Sequence, residues 1–194
     1  MVFSSLPFLF LFLTVVLLVS HILPFRFRNF FLLLANLVFY AYGEPVYVLI
    51  MIGSILVNFF AGLLMDKQST QGRRRAVLVV GIVLNLAALG VFKYAGLFVS
   101  TLREIPGLSS LPEVDIALPI GISFYTFQAV SYLIDVYWDD CAASHNLINF
   151  ASYISLFPQL IAGPIVRYKD VNEQLVSRRE TPTLFNSGVR LFVV

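Results

Sequence analysis

The chain has 194 residues, of which 59% are hydrophobic and 12% charged, with a formal net charge of +2 and a mean hydropathy of +0.86. Charged residues make up roughly a quarter of ordinary soluble domains, so this composition is that of an integral membrane protein. The small net charge excludes a nucleic-acid footprint, which needs clustered Lys and Arg against the phosphates. The single cysteine, Cys141, excludes an intrachain disulfide and cannot build a metal site by itself.

The first residues, M-V-F-S-S-L-P, carry no basic n-region, and no A-x-A-like cleavage site follows, so the first apolar run reads as a retained span. That run, Phe8 to Leu23, is interrupted by Thr14, Ser20 and His21 and closed by Pro24 with Arg26 and Arg28. A second helix is predicted from about Asn29 to the Tyr40-Ala41-Tyr42-Gly43 cluster, whose aromatics suit a membrane–water interface. Glu44-Pro45 then turns the chain. The third segment, Val46 to Met65, contains Gly53, Ser54, Asn58 and Gly62, residues suited to close helix packing. A basic loop from Asp66 to Arg75 leads to a fourth segment, Ala76 to Val99, with Asn85 at its middle and Lys93 placed to snorkel towards the interface. A longer connection, Ser100 to Asp115, follows.

From Leu118 to Trp138 the chain is long and apolar enough to cross a bilayer, yet it holds Pro119, Gly121, Ser123, Tyr125, Thr126, Gln128, Ser131, Tyr132 and Asp135. Polar, Pro/Gly-interrupted sequence at membrane depth is tolerated where it faces protein or a water-filled cavity, so this segment is predicted to line a site. Tyr125, Gln128 and Tyr132 recur at helical spacing and share one face. Asp135 is the most unusual charge. It suits either pairing with a Lys or Arg elsewhere, Lys93 being one candidate, or an interfacial position. After the acidic turn Asp139-Asp140, the sixth segment, Leu147 to Ile165, is again broken by Pro158, Gln159, Gly163 and Pro164. The tail from Val166 to Val194 is amphipathic, mixing Tyr168, Val171, Leu175 and Val176 with Arg167, Lys169, Asp170, Arg178 and Arg179, and is predicted to lie along the membrane surface.

Lys/Arg asymmetry places Arg26, Arg28, Lys67 and Arg73 to Arg75 in the cytoplasm and the N-terminus outside. Bringing Arg167, Lys169, Arg178 and Arg179 to the same side requires the 118–138 segment to bend or re-enter. No self-contained catalytic set is visible. His21 and His145 have no neighbour at metal-ligand spacing, and Ser123 in G-I-S-F lacks the trailing glycine of a nucleophile elbow.

The stretches L-P-I-G-I-S-F-Y-T-F-Q-A-V-S-Y-L-I-D-V-Y, S-H-N-L-I-N-F-A-S-Y and F-P-Q-L-I-A-G-P-I-V-R-Y-K-D resemble the membrane-bound O-acyltransferase family, in particular its alginate O-acetyltransferase branch. M-V-F-S-S, Y-A-Y-G near Tyr40 and F-K-Y at Phe92 to Tyr94 carry the same resemblance. It implies an all-α, multi-span helical bundle with Pro/Gly-broken re-entrant or tilted helices. Residues 1–194 would form a single membrane domain, the N-terminal half of a longer polytopic protein, in keeping with an apolar run that stops at Val194. The family histidine, found in a W-H-G-type stretch, is expected beyond Val194, so neither His21 nor His145 takes its role and no catalytic residue is assigned.

What this half would supply is scaffold and tunnel wall, with Ser123, Tyr125, Gln128, Tyr132, Asp135 and Gln159 as the candidate lining. The resemblance further implies transfer of an acyl group, acetyl above all, from acetyl-CoA or another activated donor that is a substrate, with no bound cofactor and no metal. The acceptor would be an exported polysaccharide such as alginate. Implied partners are membrane lipid and other exopolysaccharide-acetylation proteins, including a periplasmic acyltransferase, in the bacterial inner membrane. A non-catalytic membrane scaffold and a fragment of a polytopic transporter remain alternatives, although a transporter would show a matching broken pair in a second repeat.

Overall fold

A computed structural model describes residues 6, 8–104, 117–162, 166–177 and 181–193. The connection at 105–116, the Gly163-Pro164 pair, Arg178, Arg179 and Val194 lie outside the described residues. All regular structure among the described residues is helical. A π-helical stretch, Phe8–Leu13, runs into α1 (Thr14–Ile22), followed by α2 (Phe25–Gly43), α3 (Tyr47–Asp66), α4 (Gln71–Arg103), α5 (Ile122–Tyr137), α6 (Leu147–Ser155), α7 (Phe157–Ala162), α8 (Tyr168–Val176) and α9 (Pro182–Val193).

Helix boundaries fall where the backbone chemistry dictates. Pro24 has extended backbone and α2 starts immediately after it, so Arg26 and Arg28 lie inside the helix rather than in a loop before Asn29. Arg28 folds back to donate to the carbonyls of Leu23 (2.9 Å) and His21 (3.2 Å), covering the end of α1. Glu44, which precedes Pro45, closes α2 through its N–H to Tyr40 O. The basic loop is also shorter than its sequence predicts. Thr70 O accepts from Arg73 and Arg74, and the helix begins at Gln71. At 33 residues α4 is about 50 Å long by the usual 1.5 Å rise, more than a hydrocarbon core needs. α3 and α4 are both long and apolar enough to cross a membrane.

Polarity is distributed inside out. Asn29, Asn36, Asn58, Asn85, Thr126, Gln128, Asp135, Ser152 and Ser155 are buried, while Phe60, Val80, Val83, Leu97 and Phe98 face outward and are more than half exposed. An apolar solvent outside the bundle explains that arrangement, and water does not. Between α3 and α4 the two carboxamides of Asn58 and Asn85 bond reciprocally, at 3.0 and 2.7 Å, and each spends its remaining N–H on a carbonyl one turn back, Ser54 and Gly81.

α5 packs into the groove of α3 and α4. Close approach is possible because Gly62 and Gly81 have no side chain: a Cβ at Gly62 would enter the Tyr132 ring, and one at Gly81 would lie 2.6 Å from Leu133 Cδ1. Contrary to the sequence prediction, α5 is uninterrupted. Pro119 and Gly121 sit ahead of it, and Gly121 takes φ +78° at its entry, where a Cβ would also lie 2.8 Å from Leu160 O. α5 ends in a Schellman motif with Asp139 in the left-handed position (φ 60°): Asp140 N–H reaches Asp135 O at 2.9 Å and Asp139 N–H reaches Val136 O at 3.3 Å. Arg74 completes the cap, donating to Val136 O at 2.9 Å and in bidentate fashion to Asp139 at 2.6 and 3.0 Å. Those bonds hold the exposed Asp139 carboxyl below its usual range.

The C-terminal end of α5 therefore lies beside the start of α4, at the basic end of the bundle. The element that doubles back is the next one. α6 starts at that same end, where the Asn146 side chain caps it and Asn29 of α2 meets Asn149 (2.9 Å) and Ser152 (3.0 Å to Asn29 O). It runs along α2 until Phe157 N–H reaches Asn36 Oδ1 at 3.4 Å, breaks at Leu156, and α7 brings Gln159 to Gln128. By Val166, whose carbonyl accepts from Tyr153 at 2.8 Å, the chain has returned. Arg167 and Lys169 thus reach the basic end through an α6–α7 hairpin and not through re-entry of 118–138. The break lies at Leu156, one residue ahead of the Phe157-Pro158 pair.

α8, the first part of the amphipathic tail, is docked on the bundle. Its apolar face, Tyr168, Val171 and Leu175, packs on α5 and α6, with the Tyr168 ring 5.2 Å from both Tyr132 and Tyr153 in edge contacts.

Candidate functional site

Helical spacing places Tyr125, Gln128, Tyr132 and Asp135 on one face of α5, and the structure buries all four to 1% exposure or less. They form a column along the helix. Nearest the entry, the Tyr125 hydroxyl has no hydrogen-bond partner among the described residues. One turn on, Gln128 Nε2 donates to Gln159 Oε1 at 2.9 Å while its own Oε1 has no partner. Next, Tyr132 Oη accepts from Ser144 N–H at 3.0 Å. At the basic end, Asp135 Oδ1 stands 3.8 Å from Arg167 Nη1, and Oδ2 has no partner.

Burial of that carboxylate beside so long an ion pair is expensive unless something else meets it. Lys93, the partner proposed from sequence, does not approach Asp135; it is exposed and lies 5.4 Å from the Tyr94 ring. Asp135 is buried, at 1% exposure. Of the remaining candidates, Gln159 joins the column, whereas half-buried Ser123 lies on another side of α5.

Two residues of α2 that carry no site role in the sequence analysis also have buried polar atoms without partners among the described residues. Asn36 and Tyr40 of α2 are 0% and 3% exposed, and Asn36 Nδ2 and Tyr40 Oη lack partners. The signal is in the sequence: Asn29, Asn36 and Tyr40 recur at intervals of seven and four, polar groups on one face of a largely apolar helix. In sequence, the neighbours Tyr42 and Gly43 make Tyr40 look like an interfacial aromatic.

A cavity of about 340 Å³ lies between α3, α4 and the start of α5, with Gly53, Ser54, Asn58, Asn85, Tyr125 and Thr126 among its walls. His145 follows Ser144 in the loop before α6, but its side chain is exposed and lies 3.5 Å from Asp66, outside the column. Cys141 is half-buried after α5, and burial pushes its thiol up to about 11.

No protein-family profile and no solved structure matches the chain. Curated relatives do. Over its whole length the chain is 43% identical to the Pseudomonas aeruginosa protein named "Probable alginate O-acetylase AlgI", and 40% identical to the protein of that name from Pseudomonas putida. Over its whole length the chain is thus similar to alginate O-acetylases. The "Peptidoglycan O-acetyltransferase" of Helicobacter pylori is 31% identical over 86% of the chain. The chain spans 38%, 41% and 37% of these three relatives, nearer two fifths than the half implied by the resemblance. This similarity and the outward apolar side chains of α3 and α4 together fit a membrane protein.

Proposed function

We propose that the whole protein is an O-acetyltransferase that moves an acetyl group from acetyl-CoA, or another activated donor, towards an exported polysaccharide, alginate being the first acceptor to test. The observation that carries this is the 43% identity running through all of the chain to a protein named for that activity. Within the whole protein, residues 1–194 are a single membrane domain of a multi-span bundle in the bacterial inner membrane, with the basic end cytoplasmic and the N-terminus outside. The chain's own contribution is structural and positional. α5 carries a buried polar column, Tyr40 of α2 lies near its Tyr125, and the α6–α7 hairpin sets Gln159 beside Gln128. Unpartnered polar atoms buried at that depth are costly in hydrocarbon, which supports reading the column as wall against a polar substrate path.

Catalysis would need a base within hydrogen-bond reach of the acceptor hydroxyl, and neither His21 nor His145 is part of the column, so these residues by themselves are expected to be inactive. The test is acetylation of the polysaccharide by membranes containing the intact gene product, with labelled acetyl donor. Label in the polymer, lost when the gene is deleted, is the expected result. Absence of label with the protein folded and the donor supplied would remove the assignment. Membrane lipid and other exopolysaccharide-acetylation proteins, a periplasmic acyltransferase among them, are the proposed partners, testable by co-purification from the native membrane.

A further inference from the structure

Gln159 occupies an unusual place. It lies in the short α7, at the inner part of a hairpin that enters the bundle from the basic end and returns to it. Its carbonyl oxygen is occupied, since Oε1 accepts from Gln128 Nε2 at 2.9 Å. Gln128 is itself 1% exposed and held on a continuous helix, so it fixes the rotation of the Gln159 amide as well as occupying its oxygen. The Gln159 Nε2 group makes no hydrogen bond among the described residues, and the residue is half-buried, so its two N–H donors remain available to a ligand. Flipping both amides would leave Gln128 with a buried, unpaired NH2 in place of an unpaired oxygen, which is the worse arrangement because under-satisfied carbonyls are better tolerated than orphaned donors.

We infer that Gln159 is a substrate-contacting residue whose amide N–H donors bind the carbonyl oxygen of the acyl group in transit, with Gln128 as its positioning residue. The inference rests on the acetyltransferase reading and adds a role within it. A carboxamide is too weak a base to take the proton of an attacking hydroxyl, but its N–H donors suit an oxygen that gains negative charge as the acyl carbon becomes tetrahedral. Leu160, the next residue, packs against Gly121 at the α5 entry, so the hairpin is braced on the rigid helix on both sides of the amide. No covalent step is assigned to Gln159.

The experiment uses the intact gene product in membranes and compares wild type, Gln159→Glu, Gln159→Leu and Gln128→Leu for transfer, donor KM and thermal unfolding. Gln159→Glu keeps the oxygen that Gln128 needs but replaces the donor by an acceptor. It should lose about 10²–10³-fold in kcat, with donor KM within a few fold, as for removal of an oxyanion donor. Gln159→Leu should lose as much, and Gln128→Leu less, because it frees the amide to rotate without removing it. Retained transfer in Gln159→Glu, a loss confined to KM, or unfolding of both Gln159 variants would overturn the inference, the last by making the residue a packing element. A wild type without transfer would instead overturn the acetyltransferase reading itself.

Discussion

The two glycines of α3 illustrate how far a single atom decides packing. Gly62 faces the Tyr132 ring so closely that a methyl group cannot be accommodated without moving it, whereas a Cβ at Gly53 meets nothing within 4 Å. Gly62→Ala should therefore cost about 1–3 kcal/mol through overpacking, while Gly53→Ala should be neutral or stabilising because alanine is the better helix former. Thermal unfolding of the two variants in one detergent checks this, and equal midpoints would contradict the packing described. Cys141 offers a second residue-scale test. Its thiol is pushed to about 11, first by burial and then by the nearby Asp135 and Asp140 carboxylates, so thiolate is scarce at neutral pH. Alkylation should be slow at pH 7.5 and its rate should keep rising about tenfold per pH unit past pH 9, where an unperturbed thiol with a pKa near 8.5 has levelled off. Levelling by pH 9 would place Cys141 in water.

At the scale of elements, the reciprocal Asn58–Asn85 bonds tie α3 to α4. Replacing one asparagine by leucine strands the other amide and should cost about 1–2 kcal/mol, whereas the double Asn58→Leu/Asn85→Leu variant should recover much of that, because no polar group is left unpaired. A double-mutant cycle read by unfolding measures it, and additive losses would show that the pair is not coupled. The Arg74–Asp139 clamp behaves differently with pH. Asp139 titrates below its unfolded value, so its contribution is present above about pH 4 and vanishes as pH falls through the folded pKa. Much of this architecture was legible in sequence. Apolar runs located the helices because length and hydropathy suffice, and the spacing of Tyr125, Gln128 and Tyr132 located the buried face of α5. What could not be read was tertiary: that Pro119 and Gly121 precede α5 instead of breaking it, that the α6–α7 pair is the element that doubles back, and that Arg167, 32 positions downstream, and not Lys93, approaches Asp135. Ser123 was carried along by proximity in sequence, and helical rotation turns it away.

For the molecule as a whole, the α6–α7 hairpin settles which end each cation occupies, and this gives a topological test. With single cysteines at Ser69, Ser177 and Glu44, an impermeant reagent applied to intact cells should label only position 44 if the basic end is cytoplasmic. Labelling of 177 without 69 would mean that α6 and α7 cross in full, and labelling of 69 and 177 without 44 would invert the orientation. The Asn58–Asn85 pair also bears on biogenesis. Its partners are 27 residues apart in the chain, so α3 and α4 can lock as a hairpin soon after both have left the ribosome, fixing depth and rotation together. The slot that Gly62 and Gly81 leave for α5 would then be ready before α5 is made. By contrast Asn29 and Asn36 of α2 bond to α6 and α7 across about 120 residues of chain. Those two bonds form only after α6 and α7 are synthesised, so the late step of assembly is the seating of the α6–α7 hairpin against α2.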